Sequence, residues 1–276
     1  MEYTSCILIL LLVVKQGVLG VRIINMQVPR VIENSTLNNV LLDCDYTLKP
    51  GEGDGLVVKW YLNDIPKPVY QWIPGKRPQD LGRLKGKVNL DFKISEDPLK
   101  MHRAILLFRP TTELSGKYKC KVSTYLDEDE DHRDMIIFAP AKDFKIWHFK
   151  PEPNKVNVTC MASGVFPLPS LELFSGVKAP LQRAEIPDGA RHIRELRYSY
   201  DMHLYNIYND EDLEPDTVFE CRLGIPGTEY QIRENSVYYP GLDVMPSISA
   251  EAVNSTSLRA IAVPVSTMLL FTLFLH

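Results

Sequence analysis

The side chains best suited to chemistry in this chain are its cysteines, of which there are five among 276 residues. Cys44 and Cys120 stand 76 residues apart, Cys160 and Cys221 stand 61 apart, and Cys6 lies in an apolar N-terminal run. Removing that run leaves four, an even number suited to complete pairing in an oxidising compartment. Other chemistry finds few residues to run on. There is no Gly-x-Ser-x-Gly elbow and no His-Glu-x-x-His pair, and the stretch from Gly82 to Lys87 is one residue short of a phosphate cradle and lacks the following Ser or Thr. The histidines, His148 and His192 among them, are scattered without metal-ligand spacing. Asp127, Asp129 and Asp131 have the spacing that opens a calcium loop, but the positions that need Gly and Glu hold His132 and Phe138. Basic residues do not interleave with aromatics as a nucleic-acid site requires. The expectation is a protein that is not an enzyme, with no cofactor, no metal, no small-molecule substrate and no nucleic-acid partner.

The elements that must hold the cysteines are strands. Val40, Leu42 and Cys44 recur with a period of two, as do Val58, Trp60 and Leu62, and Tyr118, Cys120 and Val122. Trp60 follows Cys44 by sixteen residues, and Tyr118 precedes Cys120 by two. These types at these intervals match the immunoglobulin variable-type sandwich, where an inter-sheet disulfide packs on a buried tryptophan and a tyrosine closes one corner. On that fold Cys44 pairs with Cys120 and Cys160 with Cys221, because strands B and F of one sandwich face each other. Closing the first loop should stabilise the fold by about 4 kcal/mol. Further strands are expected from Leu56 to Leu62, Val69 to Ile73, Val88 to Ile94, Ala104 to Phe108 and Met135 to Phe138, with room for C′ and C″ strands between Trp60 and Ala104. Leu114 stands where many such domains carry an ion-paired Asp, so an apolar contact is expected there.

The whole chain is expected to be all-β, two immunoglobulin-like sandwiches in tandem: a variable-type domain over 21–140 and an atypical constant-like one over 141–243. In the second, Val156, Val158 and Cys160 alternate with Lys155, Asn157 and Thr159; no tryptophan follows, so Leu171 or Leu173 must fill its place, and Phe219 stands where the corner tyrosine would be. The joint falls near Ala139-Pro140-Ala141. Residues 1–20 read as a secretory signal peptide cleaved before Val21. Residues 244–259 read as a stalk. Residues 260–276 read as the apolar tail of a glycolipid (GPI) anchor signal with Asn254 and Ser255 as attachment candidates, a short single-pass helix being the alternative. Glycosylation sequons begin at Asn34, Asn157 and Asn254. The expected location is the extracellular face of the plasma membrane, with membrane contact through a lipid anchor, a secreted form being the alternative.

Charge is uneven. Residues 21–126 carry 17 basic and 11 acidic side chains, while residues 127–140 carry one basic and six acidic. Asp127, Glu128, Asp129, Glu130 and Asp131 fall between strands F and G, where antibodies carry their third hypervariable loop, and are expected to form an acidic loop. That loop would orient a charged partner or serve only to keep the tip solvated. Lys59, Tyr61, Lys119 and Lys121 alternate with inward residues and are expected to point outward on strands C and F.

The runs Lys59-Trp60-Tyr61, Val69-Tyr70-Gln71-Trp72-Ile73-Pro74 with Lys76 and Pro78, Lys87-Val88-Asn89-Leu90-Asp91, and Ser115-Gly116-Lys117-Tyr118-Lys119-Cys120-Lys121-Val122-Ser123 resemble the beaten path family, insect neuronal proteins of two immunoglobulin-like domains. The similarity spans residues 21–240; the acidic run departs from it. The resemblance implies a role in axon guidance and binding to sidestep-type transmembrane immunoglobulin proteins through the first domain's C–C′–F–G sheet. By position that face would comprise Lys59, Tyr61, Tyr70, Trp72, Lys119 and Lys121. A non-neuronal immune or adhesion co-receptor, or a cis-acting accessory subunit of a signalling receptor, is the alternative.

Overall fold

The computed structural model describes residues 20–241, so the signal peptide short of Gly20, the stalk, the anchor signal and the candidates Asn254 and Ser255 lie outside the described residues. Among the described residues no helix is long and apolar enough to cross a membrane.

Nine strands build the first sandwich. A back sheet has the order β1-β3-β7, formed by β1 (Arg22–Gln27), β3 (Asn39–Thr47) and β7 (Ile105–Phe108). A front sheet of six comprises β2 (Val31–Glu33), β4 (Val57–Leu62), β5 (Tyr70–Trp72), β6 (Gln79–Asp80), β8 (Gly116–Ser123) and β9 (Glu128–Phe138), in the order β2-β9-β8-β4-β5-β6. The N-terminal segment serves both sheets. β1 runs antiparallel to β3, the chain passes Pro29, and β2 then pairs in parallel with β9. Proline lacks the N–H a ladder would need, which suits it to the crossing.

Alternation in the sequence becomes the core. Val40, Leu42, Cys44, Val58, Trp60, Leu62, Tyr118, Cys120 and Val122 are all buried. The Cys44–Cys120 disulfide joins the sheets with its Cα atoms 6.5 Å apart. At one end of the sandwich the Tyr118 hydroxyl donates to the Leu114 carbonyl at 2.9 Å, and Leu114 itself is fully buried.

Residues 88–94 do not form a strand. Val88 makes one isolated bridge to Leu107, and the chain from Asn89 to Arg103 is irregular. Its backbone carbonyls are satisfied by core side chains in place of a ladder, as buried backbone requires. Trp60 Nε1 donates to the Arg103 carbonyl at 3.1 Å, the Tyr70 hydroxyl to that of His102 at 2.8 Å, and the Tyr46 hydroxyl to that of Leu99. The Arg103 guanidinium forks onto Asp43 at 3.0 and 3.1 Å and also meets Asp45. Burial raises the Tyr46 and Tyr70 hydroxyls well above the ordinary tyrosine range, keeping both protonated as donors.

The second sandwich packs four strands on four. One sheet is β10 (Asp143–Glu152), β11 (Lys155–Val165), β15 (Ser199–Asn209) and β14 (Arg191–Leu196), in the order β10-β11-β15-β14. The other is β13 (Gln182–Arg183), β12 (Ser170–Gly176), β16 (Thr217–Gly224) and β17 (Gln231–Tyr238), in the order β13-β12-β16-β17. Cys160 and Cys221 are joined across it, and Leu171, Leu173 and Phe219 are buried around them. Phe219 packs against Tyr208 and Tyr238, with ring centroids 5.0 and 6.2 Å away. Between the sandwiches, Ala139 and Phe166 exchange backbone hydrogen bonds of 2.9 and 3.1 Å. The Tyr230 ring lies 5.8 Å from that of Phe138, and its hydroxyl accepts from the Ala141 N–H at 3.1 Å.

Candidate protein-recognition surface

The outer face of the front sheet is set by strand register. β4 and β8 pair Lys59 with Lys121 and Tyr61 with Lys119, so all four side chains stand on the face opposite the buried Trp60 and Cys120. The Lys119 ammonium sits 5.1 Å from the centre of the Tyr61 ring, within cation–π range. Beside them, the turn Asn63–Pro66 and Lys117 wall a groove of about 280 Å³, at the small end of the range for ligand pockets.

The acidic residues do not form a loop. Only Asp127 lies in the connecting turn; Glu128, Asp129, Glu130 and Asp131 are in β9, laddered to β8 with Lys121 opposite Glu130 and Ser123 opposite Glu128. Strand alternation divides them between two faces. Glu128 and Glu130 stand among the lysines, where Lys121 meets Glu128 at 2.7 Å and Lys119 meets Glu130 at 3.3 Å. The hydrogen bond that Lys121 donates to Glu128 raises its ammonium above the ordinary value. Asp129 and Asp131 turn to the opposite face, where Asp129 accepts the Ile23 N–H at 2.8 Å and Asp131 meets Arg133 at 2.7 Å. A run of acids has weak strand propensity, and the lysine-bearing neighbour overrides it.

Tyr70 and Trp72 are not on the exposed face. β5 pairs with β4 so that Trp72 lies opposite Val58 and Tyr70 opposite Trp60, and directly opposed residues share a face. Both therefore point inward, 2% and 1% exposed, and Trp72 stands edge-on to His102 with centroids 5.6 Å apart. Gln71, opposite Lys59, takes the outward position.

The sequence reading missed the turn at the tip. Thr124, Tyr125, Leu126 and Asp127 join β8 to β9, and the Thr124 hydroxyl accepts from the N–H groups of Leu126 and Asp127, both at 3.2 Å. Tyr125 and Leu126 are left 82% and 78% exposed. The Tyr125 ring rests over Gly55, which has φ +72°, and a Cβ there would come within 2.5 Å of the ring. Two adjacent apolar residues between a strand and a run of acids were the available signal. Of the sequons, Asn34 follows β2 in a turn and Asn157 lies within β11, while Asn254 is outside the described residues. Among the described residues no group of three or more His, Cys, Asp or Glu side chains is arranged to hold a metal.

No protein-family model matches the chain, and no curated protein matches it by sequence. Solved structures resemble it in fold. Bovine butyrophilin aligns over 76% of this chain and 95% of its own, at 12% identity and a TM-score of 0.58. A chain from the complex of ICOS with ICOS-L and an anti-ICOS-L VNAR domain aligns over 77% of this chain and 100% of its own, at 15% identity and a TM-score of 0.54. With its two disulfides and its four-sheet topology, the chain is all-β and has the immunoglobulin fold twice over, a variable-type sandwich followed by an atypical constant-like one.

Proposed function

We propose that this is a cell-surface recognition protein, not an enzyme, that binds an extracellular immunoglobulin-type partner with the front sheet of its first sandwich. The observation that carries the reading is an exposed apolar tip on the strands that bear a charged outer face. Tyr125 and Leu126, the most exposed large apolar residues among those described, form the turn that joins β8 to β9, and on the outer face of these strands the lysines interlock with Glu128 and Glu130 while Lys119 lies over Tyr61. Rigid aromatic anchors ringed by charge are the usual make-up of a protein interface, the anchor supplying affinity and the charges orientation. Within this reading Lys59, Tyr61, Lys119 and Lys121 keep their interface role and Tyr125 and Leu126 join it.

The resemblance to the beaten path family gives the finer proposal: neuronal recognition in axon guidance, with sidestep-type membrane proteins as partners and a lipid anchor holding the chain outside the cell. The test is a binding screen of the chain displayed on cells against extracellular immunoglobulin proteins, sidestep-type members included, followed by Tyr125→Ser with Leu126→Ser. Loss of at least tenfold in affinity with normal display supports the surface. Unchanged affinity for a partner found in the screen places the interface elsewhere, and release by phosphatidylinositol-specific phospholipase tests the anchor separately.

A further inference from the structure

The second sandwich carries an unpaired apolar face of its own. β11 lies between β10 and β15, and the register sets Phe149 and Ile207 directly on either side of Asn157, with Trp147 and Tyr205 on either side of Thr159. These rows share the face opposite the buried Val158 and Cys160. Phe149 and Ile207 are 43% and 47% exposed. β10 is also an edge strand, so the aromatics of this face border unpaired backbone, the arrangement that invites edge-to-edge association.

The sequence supplies its own cover. Asn157-Val158-Thr159 is a sequon placed at the centre of the patch. The Thr159 hydroxyl donates to Asn157 Oδ1 at 3.0 Å, orienting the amide. Its Nδ2, the atom a glycan is attached to, donates to no other group among the described residues and is not sequestered. We propose that Asn157 carries an N-linked glycan whose first N-acetylglucosamine lies across Phe149 and Ile207 and closes this face. Sugar rings present apolar C–H surfaces suited to an aromatic ring and a branched aliphatic. The proposal rests on the extracellular reading above, since only a chain that enters the secretory route is glycosylated.

The test uses the full chain made in eukaryotic secretory cells. Glycopeptide mass analysis reads occupancy of Asn34 and Asn157, and hydroxyl-radical footprinting reads the exposure of Phe149 and Ile207. The expected result is a glycan at Asn157 and a several-fold rise in labelling of both residues in Asn157→Gln. Thr159→Ala also removes the sequon and should match it, while Thr159→Ser preserves the sequon and should match the unaltered chain. Trimming to a single N-acetylglucosamine should leave both residues protected. An occupied Asn34 with an empty Asn157 overturns this proposal and leaves the extracellular reading standing; two empty sites overturn both. A glycan at Asn157 whose removal leaves the labelling unchanged overturns the cover.

Discussion

Reversing the charges of β8 is the sharpest test of how the front face is held together. Lys119 and Lys121 meet Glu130 and Glu128 at 3.3 and 2.7 Å. At such separations in water the Coulomb attraction is about 1.4 kcal/mol. Ordering two long side chains and screening by salt reduce it to about 0.5 kcal/mol per exposed pair. Two pairs then contribute about 1 kcal/mol, and turning attraction into repulsion with Lys119→Glu and Lys121→Glu costs about 2 kcal/mol. For a sandwich of this size that lowers Tm by roughly 6–10 °C. Adding Glu128→Lys and Glu130→Lys restores the pairs in inverted order and should recover most of the loss. A residue of about 0.5 kcal/mol should remain, because the Lys119 contact with Tyr61 does not return. Thermal unfolding followed by tryptophan emission reads this in a Trp147→Phe background, which leaves Trp60 and Trp72, both in the first sandwich, as the reporters. The deficit should shrink in high salt. A reversed variant within 1 °C of the parent, or an exchanged variant no better than the reversed one, would show that these pairs do not hold the face together. The exchange also isolates binding: a partner lost at unchanged Tm is lost to the altered charge pattern.

Arg103→Ala should destabilise the first sandwich by about 3–5 kcal/mol in urea unfolding, because Asp43 is left buried without its cation while Asp45 keeps only Lys100, and a loss below about 1 kcal/mol would show that solvent replaces it. Tyr118→Phe should cost about 1–2 kcal/mol by stranding the Leu114 carbonyl, read in the same assay. Burial holds His148 below the ordinary histidine value, so as pH falls below about 6.5 the unfolded chain takes up a proton that the folded one refuses. The second sandwich should therefore lose stability over that range, and His148→Gln should flatten the pH dependence. Gly55→Ala should leave the fold intact but displace Tyr125, weakening partner binding without moving Tm by more than a few degrees.

The strands of the first core were legible because one face of each is buried, which writes a period of two into Val40, Leu42 and Cys44 and into Tyr118, Cys120 and Val122. Alternation gives two faces but not which one turns inward. For Tyr70 and Trp72 that was decided by their register against β4, a tertiary fact with no local sign. The acids of β9 look like a loop in isolation and become a strand only beside the lysines of β8. Residues 89–103 defeat pattern reading for a different reason. They are held by an indole and two phenols reaching from other strands and by the segment's own Arg103 reaching back to Asp43, and such contacts leave no periodicity. Of the recognition surface, Lys59, Tyr61, Lys119 and Lys121 could be placed from the sequence, whereas the exposure of Tyr125 and Leu126 depends on the turn they occupy.

The path of the chain out of the first sandwich has a mechanical consequence. β9 runs from the front face to Phe138 and leads within four residues to β10 of the second sandwich. Tension that enters through the front face and leaves through the second sandwich therefore pulls along β9 itself. Its neighbours, β8 on one side and β2 on the other, lie alongside it, so the pull slides β9 against both ladders and loads their hydrogen bonds together, in shear. Peeling, in which bonds break singly from one end, would need a force directed across the strands. The handover between Ala139 and Phe166, held by two backbone hydrogen bonds, would yield before either ladder, so that load separates the sandwiches while the front sheet keeps its shape.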